Sequence, residues 1–171
     1  MRLLQTHIHP DLTAPFGKQF YRAAARAIVL KGDDILLMYT RRYDDYSLPG
    51  GGVDINEDIQ SGLVRELAEE TGASNIKIVA EFGRYKELRP WHKADYDCVD
   101  MESFCYVCTI NEQLGQTQLE SHEISNGMQP VWINIHQAIE HNLDIIASSP
   151  KKGLSITRET FLLQKIVEEL V

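Results

Sequence analysis

The sequence predicts a mixed α/β (α+β) fold, a single sandwich domain over residues 1–171 in which helices cover a mixed β-sheet. Its 171 residues are 43% hydrophobic and 25% charged, which is ordinary for one globular domain with its own core. Apolar, β-compatible segments precede and follow one strongly periodic helix, and helical patterns close the chain. No repeat, low-complexity tract or long linker divides it.

The N-terminal part of the chain is predicted to be an arm followed by two strands. Residues 1–20 contain two prolines and a glycine, and we expect little regular structure there. Residues 22–30 and 34–42 are apolar, and the turn signal KGDD between them predicts a hairpin. The stretch YDDYSLPGGGVDIN predicts a loop over residues 43–56, because its proline and glycines disfavour both helix and strand.

The clearest helix is predicted over residues 57–71. Its packing residues recur at i, i+3, i+4 and i+7 and form one stripe. Asn56 is the predicted N-cap, and Gly72 is expected to end the helix. Beyond it we expect strands near residues 75–83, 97–110 and 129–134, a short helix at 135–141 and an amphipathic helix at 157–170.

Composition and charge argue against several classes of protein. The net charge of −8 disfavours non-specific binding to nucleic acid, which needs a basic surface. No apolar stretch approaches the roughly 20 residues of a membrane-spanning helix, and the N-terminus lacks a signal-peptide pattern. We therefore expect a cytoplasmic protein that binds neither nucleic acid nor membrane.

The cysteines and histidines show no metal-binding pattern. Cys105 and Cys108 are three residues apart in a predicted strand, so their side chains should face opposite sides of the sheet. They cannot then converge on one zinc ion, and buried thiols are the better interpretation. The six histidines have no paired metal spacing and are interpreted as structural or surface residues.

Three acidic residues stand where a helix disfavours them. Glu66, Glu69 and Glu70 come shortly before Gly72, at the negative end of the helix dipole. The three lie within about a 100° arc beside the packing stripe, so we expect their carboxylates to converge where helix, sheet and glycine loop meet. Carboxylate oxygens are ligands for Mg²⁺, and a bound cation would reverse the unfavourable electrostatics. The alternative interpretation is a solvated acidic face.

The spacing around these acids is a recognisable motif. It reads Gly51-x5-Glu57-x7-Arg65-Glu66-Leu67-x-Glu69-Glu70-x-Gly72-Ala73. This pattern over residues 51–73 resembles the signature box of the Nudix hydrolases at every fixed position. Only the last position differs, because Ala73 stands where the family usually has a larger aliphatic residue. The upstream stretch YSLPGG is also similar to the family's entry to the box.

The resemblance implies an α/β/α sandwich with a loop–helix–loop motif that binds Mg²⁺ or Mn²⁺. The metal ligands implied by position are the carboxylates of Glu66, Glu69 and Glu70, together with the carbonyl of Gly51. Glu57 and Arg65 are expected to form an ion pair that braces the helix, since arginine orients carboxylates through paired hydrogen bonds.

The resemblance further implies hydrolysis of the diphosphate bond in a nucleoside diphosphate linked to another moiety, a small-molecule substrate. A carboxylate then accepts the proton of a metal-activated water. That base is Glu66 in one scheme of the family and a later loop glutamate, here Glu123, in another. Glu120 and Glu102 are further candidates. The alternative function is a Nudix-fold nucleotide-binding or regulatory domain without turnover, which the intact set of box glutamates disfavours.

Two predictions concern residues outside the box. Arg41 and Arg42 directly precede the glycine loop and are candidates for contact with the substrate's phosphates. The N-terminal arm could pair with a second subunit, as happens in this family, to give a homodimer. The patterns that accompany particular Nudix substrates are not matched, so neither the nucleoside nor the linked moiety is assigned.

Overall fold

The computed structural model describes residues 1–171 as eight strands and four helices. In chain order these are β1 (Leu3–Ile8), β2 (Gln19–Ile28), β3 (Leu30–Lys31), β4 (Asp34–Thr40), β5 (Asp45–Ser47), α1 (Ile59–Thr71), β6 (Lys77–Pro90), β7 (Cys98–Thr109), α2 (Ser121–Asn126), β8 (Met128–Asn134), α3 (Ile135–Ser148) and α4 (Ile156–Leu170). None of the helices is both long enough and apolar enough to span a membrane.

The strands form two four-stranded sheets. The first has the order β1-β6-β7-β2, with β6 and β7 antiparallel and the two outer strands parallel to their neighbours. The second is antiparallel: β4 pairs with β3, β5 and β8. Both parallel pairs join strands that are distant in sequence. Between these strands the chain forms β3, β4 and β5 of the second sheet and then returns to complete the first sheet.

Helices cover the strands from two sides, and each side has its own apolar core. On one side Leu63 and Leu67 of α1 pack with Leu36 and the alanines of β2. On the other side, residues of α3 and α4 such as Leu163 pack with Leu37. The result is the predicted α/β/α sandwich with a mixed sheet, and the fold class is confirmed.

The structure differs from two expectations for the N-terminal part of the chain. Residues 1–20 are not without regular structure, because β1 pairs in parallel with β6 from Leu3 to Ile8. The predicted hairpin is reduced to the two residues of β3 and their partners on β4. The longer strand β2 instead pairs along its whole length with β7. The other edge of β2 is hydrogen-bonded to the glycine loop, so β4 cannot pair along this strand.

The central helix begins two residues later than predicted. Asp58, not Asn56, is the N-cap, and its side chain accepts hydrogen bonds from the backbone N–H groups of Gln60 and Ser61. Asn56 lies in the turn before it with φ of 69°, a left-handed conformation that asparagine tolerates better than most residues. Gly72 ends the helix as expected, and its N–H bonds the carbonyl of Ala68.

The cysteines behave as the strand periodicity predicts. Cys105 belongs to the core beneath α3 and α4, whereas Cys108 belongs to the core beneath α1. All three cysteines are free and buried. Burial raises the pKa of the Cys105 thiol to about 12 and that of Cys108 to about 11, so these side chains pack as small apolar groups and not as nucleophiles.

Candidate active site

A cleft of about 620 Å³ opens beside the glycine loop. Gly50, Gly51 and Gly52 form part of its wall, and α1 contributes the carboxylates of Glu66 and Glu70. Further lining residues come from β2, β5, the end of β6, α2 and the start of α4. The cleft therefore lies where the predicted motif meets the sheet and the C-terminal helix.

The glycine loop is hydrogen-bonded to β2 as if it were another strand. Ala27 N–H donates to the carbonyl of Pro49 at 2.9 Å, and Ala25 N–H donates to that of Gly51 at 3.0 Å. Val53 N–H returns a bond to the carbonyl of Ala23 at 3.0 Å. These bonds hold the loop backbone in one position against the sheet.

Two of the glycines are required by close approach. Gly50 has φ of 125°, and a Cβ on it would overlap the carbonyl oxygen of Ala25. A Cβ on Gly51 would lie 2.5 Å from Oε2 of Glu66, so a side chain there would displace this carboxylate. The Gly51 carbonyl, a predicted metal ligand, already accepts the Ala25 bond and keeps one lone pair for another partner.

Glu70 is the most deeply buried of the motif's acids, with 4% of its surface exposed. Its Oε2 accepts a hydrogen bond of 2.5 Å from the Gly50 N–H. Burial raises the pKa of this carboxyl to about 8, with the positive charge of Arg26 and the Gly50 bond acting against the rise. The negative charges of Glu66 and Glu123 raise it further. Glu70 thus ionises with difficulty unless a cation compensates it.

Glu66 and Glu69 are placed differently, although both follow Arg65. Oε1 of Glu66 lies 2.7 Å from Nη1 of Arg65, and its other oxygen lies against Gly51 inside the cleft. Burial raises the pKa of Glu66, and Arg65 opposes this rise. The Glu69 side chain is 41% exposed, lies 3.4 Å from Arg65 and does not line the cleft. The helix therefore brings Glu66 and Glu70 together in the cleft but leaves Glu69 at its outer edge.

Glu123 completes a group of three carboxylates in the cleft. It is the third residue of the short helix α2, and its Oε2 accepts the Glu120 backbone N–H at 2.7 Å in a capping box. Its negative charge raises the pKa of both Glu66 and Glu70, so the three acids are electrostatic neighbours. The capping bond orients Glu123 and leaves its second oxygen available.

The other two candidates for the base are less suited. Glu120 also lines the cleft, but its side chain is 72% exposed and lies 3.1 Å from His122. Glu102 does not line the cleft, because its carboxylate is bound to Tyr21 and Arg84 on another part of the first sheet.

Glu57 and Arg65 form a bidentate ion pair. Nε and Nη2 of Arg65 each lie 2.9 Å from an oxygen of Glu57. The hydrogen bond from Arg65, followed by that from the Asp54 N–H, lowers the pKa of Glu57 to about 2. Arg65 also contacts Glu66, so this pair links the start of the motif to a carboxylate of the cleft.

Arg41 and Arg42 lie outside the cleft. Arg42 donates to the Asn126 side chain at 3.1 Å and lies 5.5 Å from the centre of the Tyr43 ring. Arg41 lies against Gly127, at the end of α2. Contact between these two arginines and the substrate's phosphates stays a prediction, and their positions in the structure do not favour it.

A buried ionic network lies beneath the glycine loop, and sequence patterns did not predict it. Arg158 and Glu159, at the start of α4, have 2% and 1% of their side chains exposed. Arg158 binds both Glu159 and Glu87, while Glu159 accepts the Leu48 N–H at 2.9 Å. Arg26 donates to the carbonyls of Leu48 and Gly50. This network holds the loop from the side opposite α1.

The donor set of the cleft suits a hard divalent cation. Its acids supply oxygen ligands only, and the upward pKa shifts of Glu66 and Glu70 reflect buried negative charge that a cation would neutralise. No three His, Cys, Asp or Glu side chains are close enough together in this structure to hold an ion. Glu66 is instead bound to Arg65, so it would have to turn from Arg65 to become a ligand.

Asp45 is a further buried acid of the cleft, and it predicts a pH-dependent stability. Burial, aided by the charges of Glu159 and Asp44, raises its pKa from 3.8 to about 6. Its ionisation therefore destabilises the folded chain increasingly between these two pH values and fully above them. Asp45→Asn should raise the free energy of unfolding by about 1–3 kcal/mol at pH 7 and leave it nearly unchanged near pH 4. Urea denaturation across this range measures the difference, and a pH-independent difference would contradict the assignment.

Comparison with known proteins agrees with this architecture. The NUDIX domain family model matches residues 20–152. The solved structure of a NUDIX hydrolase from Nitrosomonas europaea superposes with a TM-score of 0.53 at 18% identity, covering 84% of this chain and 87% of that one, which shows the same fold. The α/β/α sandwich is thus the shared feature. The chain belongs to the Nudix hydrolase family, whose members generally use divalent metal ions.

Two curated relatives carry more specific names. Diphosphoinositol polyphosphate phosphohydrolase 3-alpha of Homo sapiens is 25% identical over 136 residues, which cover 77% of this chain and 75% of that protein. Diphosphoinositol polyphosphate phosphohydrolase 2 of Mus musculus is 24% identical over 135 residues, covering 77% and 68%. Both are phosphohydrolases by name, consistent with the enzymatic class of this chain.

Proposed function

We propose that the chain hydrolyses the diphosphate bond of a nucleoside diphosphate linked to another moiety, in a reaction that depends on Mg²⁺ or Mn²⁺. One observation carries the proposal: Glu66, Glu70 and Glu123 line one cleft beside the hydrogen-bonded glycine loop. Two of them come from α1 and the third from α2, so the fold brings together acids that are distant in sequence.

Each residue has a distinct part in this proposal. Glu66 and Glu70 would hold the cation with the Gly51 carbonyl, and Glu69 would join them by turning from the outer edge of α1. Bound there, the ion would neutralise the diphosphate oxygens and lower the pKa of the attacking water. Glu123 is the favoured acceptor of the water's proton, because one of its oxygens is fixed by the capping bond and the other is available. Glu66 is the alternative base.

The names of the relatives supply a second candidate substrate. Both are called diphosphoinositol polyphosphate phosphohydrolases, and the matched region covers most of the present chain. A diphosphate on an inositol polyphosphate offers the same bond to the cleft as a nucleoside diphosphate derivative. We therefore infer that such compounds belong in the first substrate panel.

The test is a panel of nucleoside diphosphate and triphosphate derivatives and diphosphoinositol polyphosphates, assayed with Mg²⁺, with Mn²⁺ and with a chelator. We expect hydrolysis of at least one compound with metal and loss of at least about 10²-fold in rate without it. Binding of a panel member without turnover would instead favour the alternative, a nucleotide-binding or regulatory domain. Hydrolysis at an undiminished rate in the chelator would contradict metal dependence.

A further inference from the structure

A second group of charges lies in the same cleft, and it is basic. Arg22 of β2 and Arg89 of β6 both line the cleft, and neither donates a hydrogen bond to the glycine loop. The two strands are separated by β7, whose Met101 stands opposite Arg22 in the strand register and lies 4.0 Å from Nη2 of Arg89. Met101 also lines the cleft, so its side chain lies on the same face of the sheet as the two arginines.

Arg89 is a half-buried cation without a matched anion. Its side chain is 18% exposed, and its Nε is buried without a hydrogen-bond partner. The nearest carboxylate oxygen, Oε1 of Glu87, is 3.8 Å away and is already bound by Arg158. Burial, followed by the charge of Arg158, lowers the pKa of Arg89 to about 10, because the charge of Glu87 offsets these two effects only in part.

Arg22 is also available to bind an anion, but for a different reason. It is exposed, it forms no ion pair, and its guanidinium lies so close to Gly52 that a Cβ there would overlap Nη2. Gly52 belongs to the same loop as Gly51, which lies against Glu66. The loop therefore places Arg22 at the boundary between the acidic and the basic parts of the cleft.

We propose that Arg22 and Arg89 form an anion subsite that binds a phosphate group of the substrate directly, in addition to the diphosphate held by metal at the glutamates. This inference rests on the proposed function and narrows its substrate class to compounds with at least one phosphate beyond the diphosphate. Guanidinium groups suit such a ligand, because their paired N–H donors match phosphate oxygens. A metal would not bind at this end, where the free charges are positive.

The experiment compares two non-hydrolysable probes, imidodiphosphate and imidotriphosphate, by calorimetric titration of the full chain with Mg²⁺. In the unmodified chain the longer probe should bind at least about tenfold more tightly, as expected for one added charge-assisted contact. In Arg22→Gln and in Arg89→Gln this advantage should fall below about threefold. Lys77→Gln is the matched control, since Lys77 is an exposed cation at the opposite end of β6, and it should keep the full advantage.

The outcomes are separable from those of the hydrolysis assay. If the preference for imidotriphosphate depends on Arg22 and Arg89 while no substrate is hydrolysed, the subsite is supported and the hydrolytic function fails. If both variants keep the preference, or if the unmodified chain shows none, the subsite is refuted even when hydrolysis is found. Arg22 is exposed, so Arg22→Gln tests the subsite even if circular dichroism shows that Arg89→Gln is unfolded.

Discussion

Glu70→Gln should lower the rate of diphosphate hydrolysis by at least about 10²-fold without lowering the stability of the fold. The amide keeps an oxygen that accepts the Gly50 N–H, but it removes the charge needed to hold a cation. Because burial raises the pKa of Glu70 to about 8, the neutral glutamine suits the metal-free fold at least as well as the carboxylate. Steady-state kinetics with Mg²⁺ and a thermal melt of the same sample measure the two effects.

Glu140→Gln is the control for this experiment, because Glu140 is an exposed acid on α3. Its rate and its melting temperature should equal those of the unmodified chain. Turnover in Glu70→Gln equal to that of the unmodified chain would remove Glu70 from the site.

Glu69→Gln should be made alongside: the family resemblance implies a similar loss of rate, whereas a rate near that of the unmodified chain would show that Glu69 stays at the outer edge of α1.

Arg158→Met should destabilise the fold by about 3–5 kcal/mol, the largest effect on stability that we expect in this protein. Methionine fills much of the volume of the arginine stem, but it removes the cation that binds both buried carboxylates, those of Glu87 and Glu159. Glu159 also holds the Leu48 N–H, so the start of the glycine loop should loosen. Chemical denaturation measures the loss.

The matched comparison is Arg2→Met. Arg2 also pairs with a glutamate, Glu169, but its side chain is 55% exposed. Exposed pairs contribute roughly 0–1 kcal/mol, so this variant should remain close to the unmodified chain. A loss in Arg158→Met no larger than that in Arg2→Met would show that water or rearrangement compensates the buried carboxylates.

Local patterns predicted the elements whose partners are near in sequence. Gly72 and the apolar stripe predicted α1, and strand periodicity correctly separated Cys105 from Cys108. The same signals could not identify β1, because its stability depends on parallel pairing with β6, more than seventy residues away, and most of its side chains stay exposed. The hairpin is shorter than predicted for a related reason: an apolar strand does not reveal which neighbouring strand it will pair with.

The residues of the site divide in the same way: the local sequence predicts some of them, and only tertiary contacts identify the others. The motif spacing led to Glu66 and Glu70, and the family resemblance made the loop acid Glu123 a candidate. Arg89 and Arg158 were missed, since a charged residue in a strand or in the first turn of an amphipathic helix is usually solvated. Only the tertiary structure shows that Arg158 is buried against Glu87 of β6 and that Arg89 lines the cleft.

The attachment of the glycine loop to β2 has a consequence for the thermodynamics of ligand binding. Since its backbone is already paired, the loop has little conformational freedom left to lose when a ligand arrives. The conformational entropy of the loop is therefore lost during folding. Ligand binding then costs little additional backbone entropy. Rearrangement on binding should then be confined to side chains such as Glu66, which must exchange an internal partner for an external one.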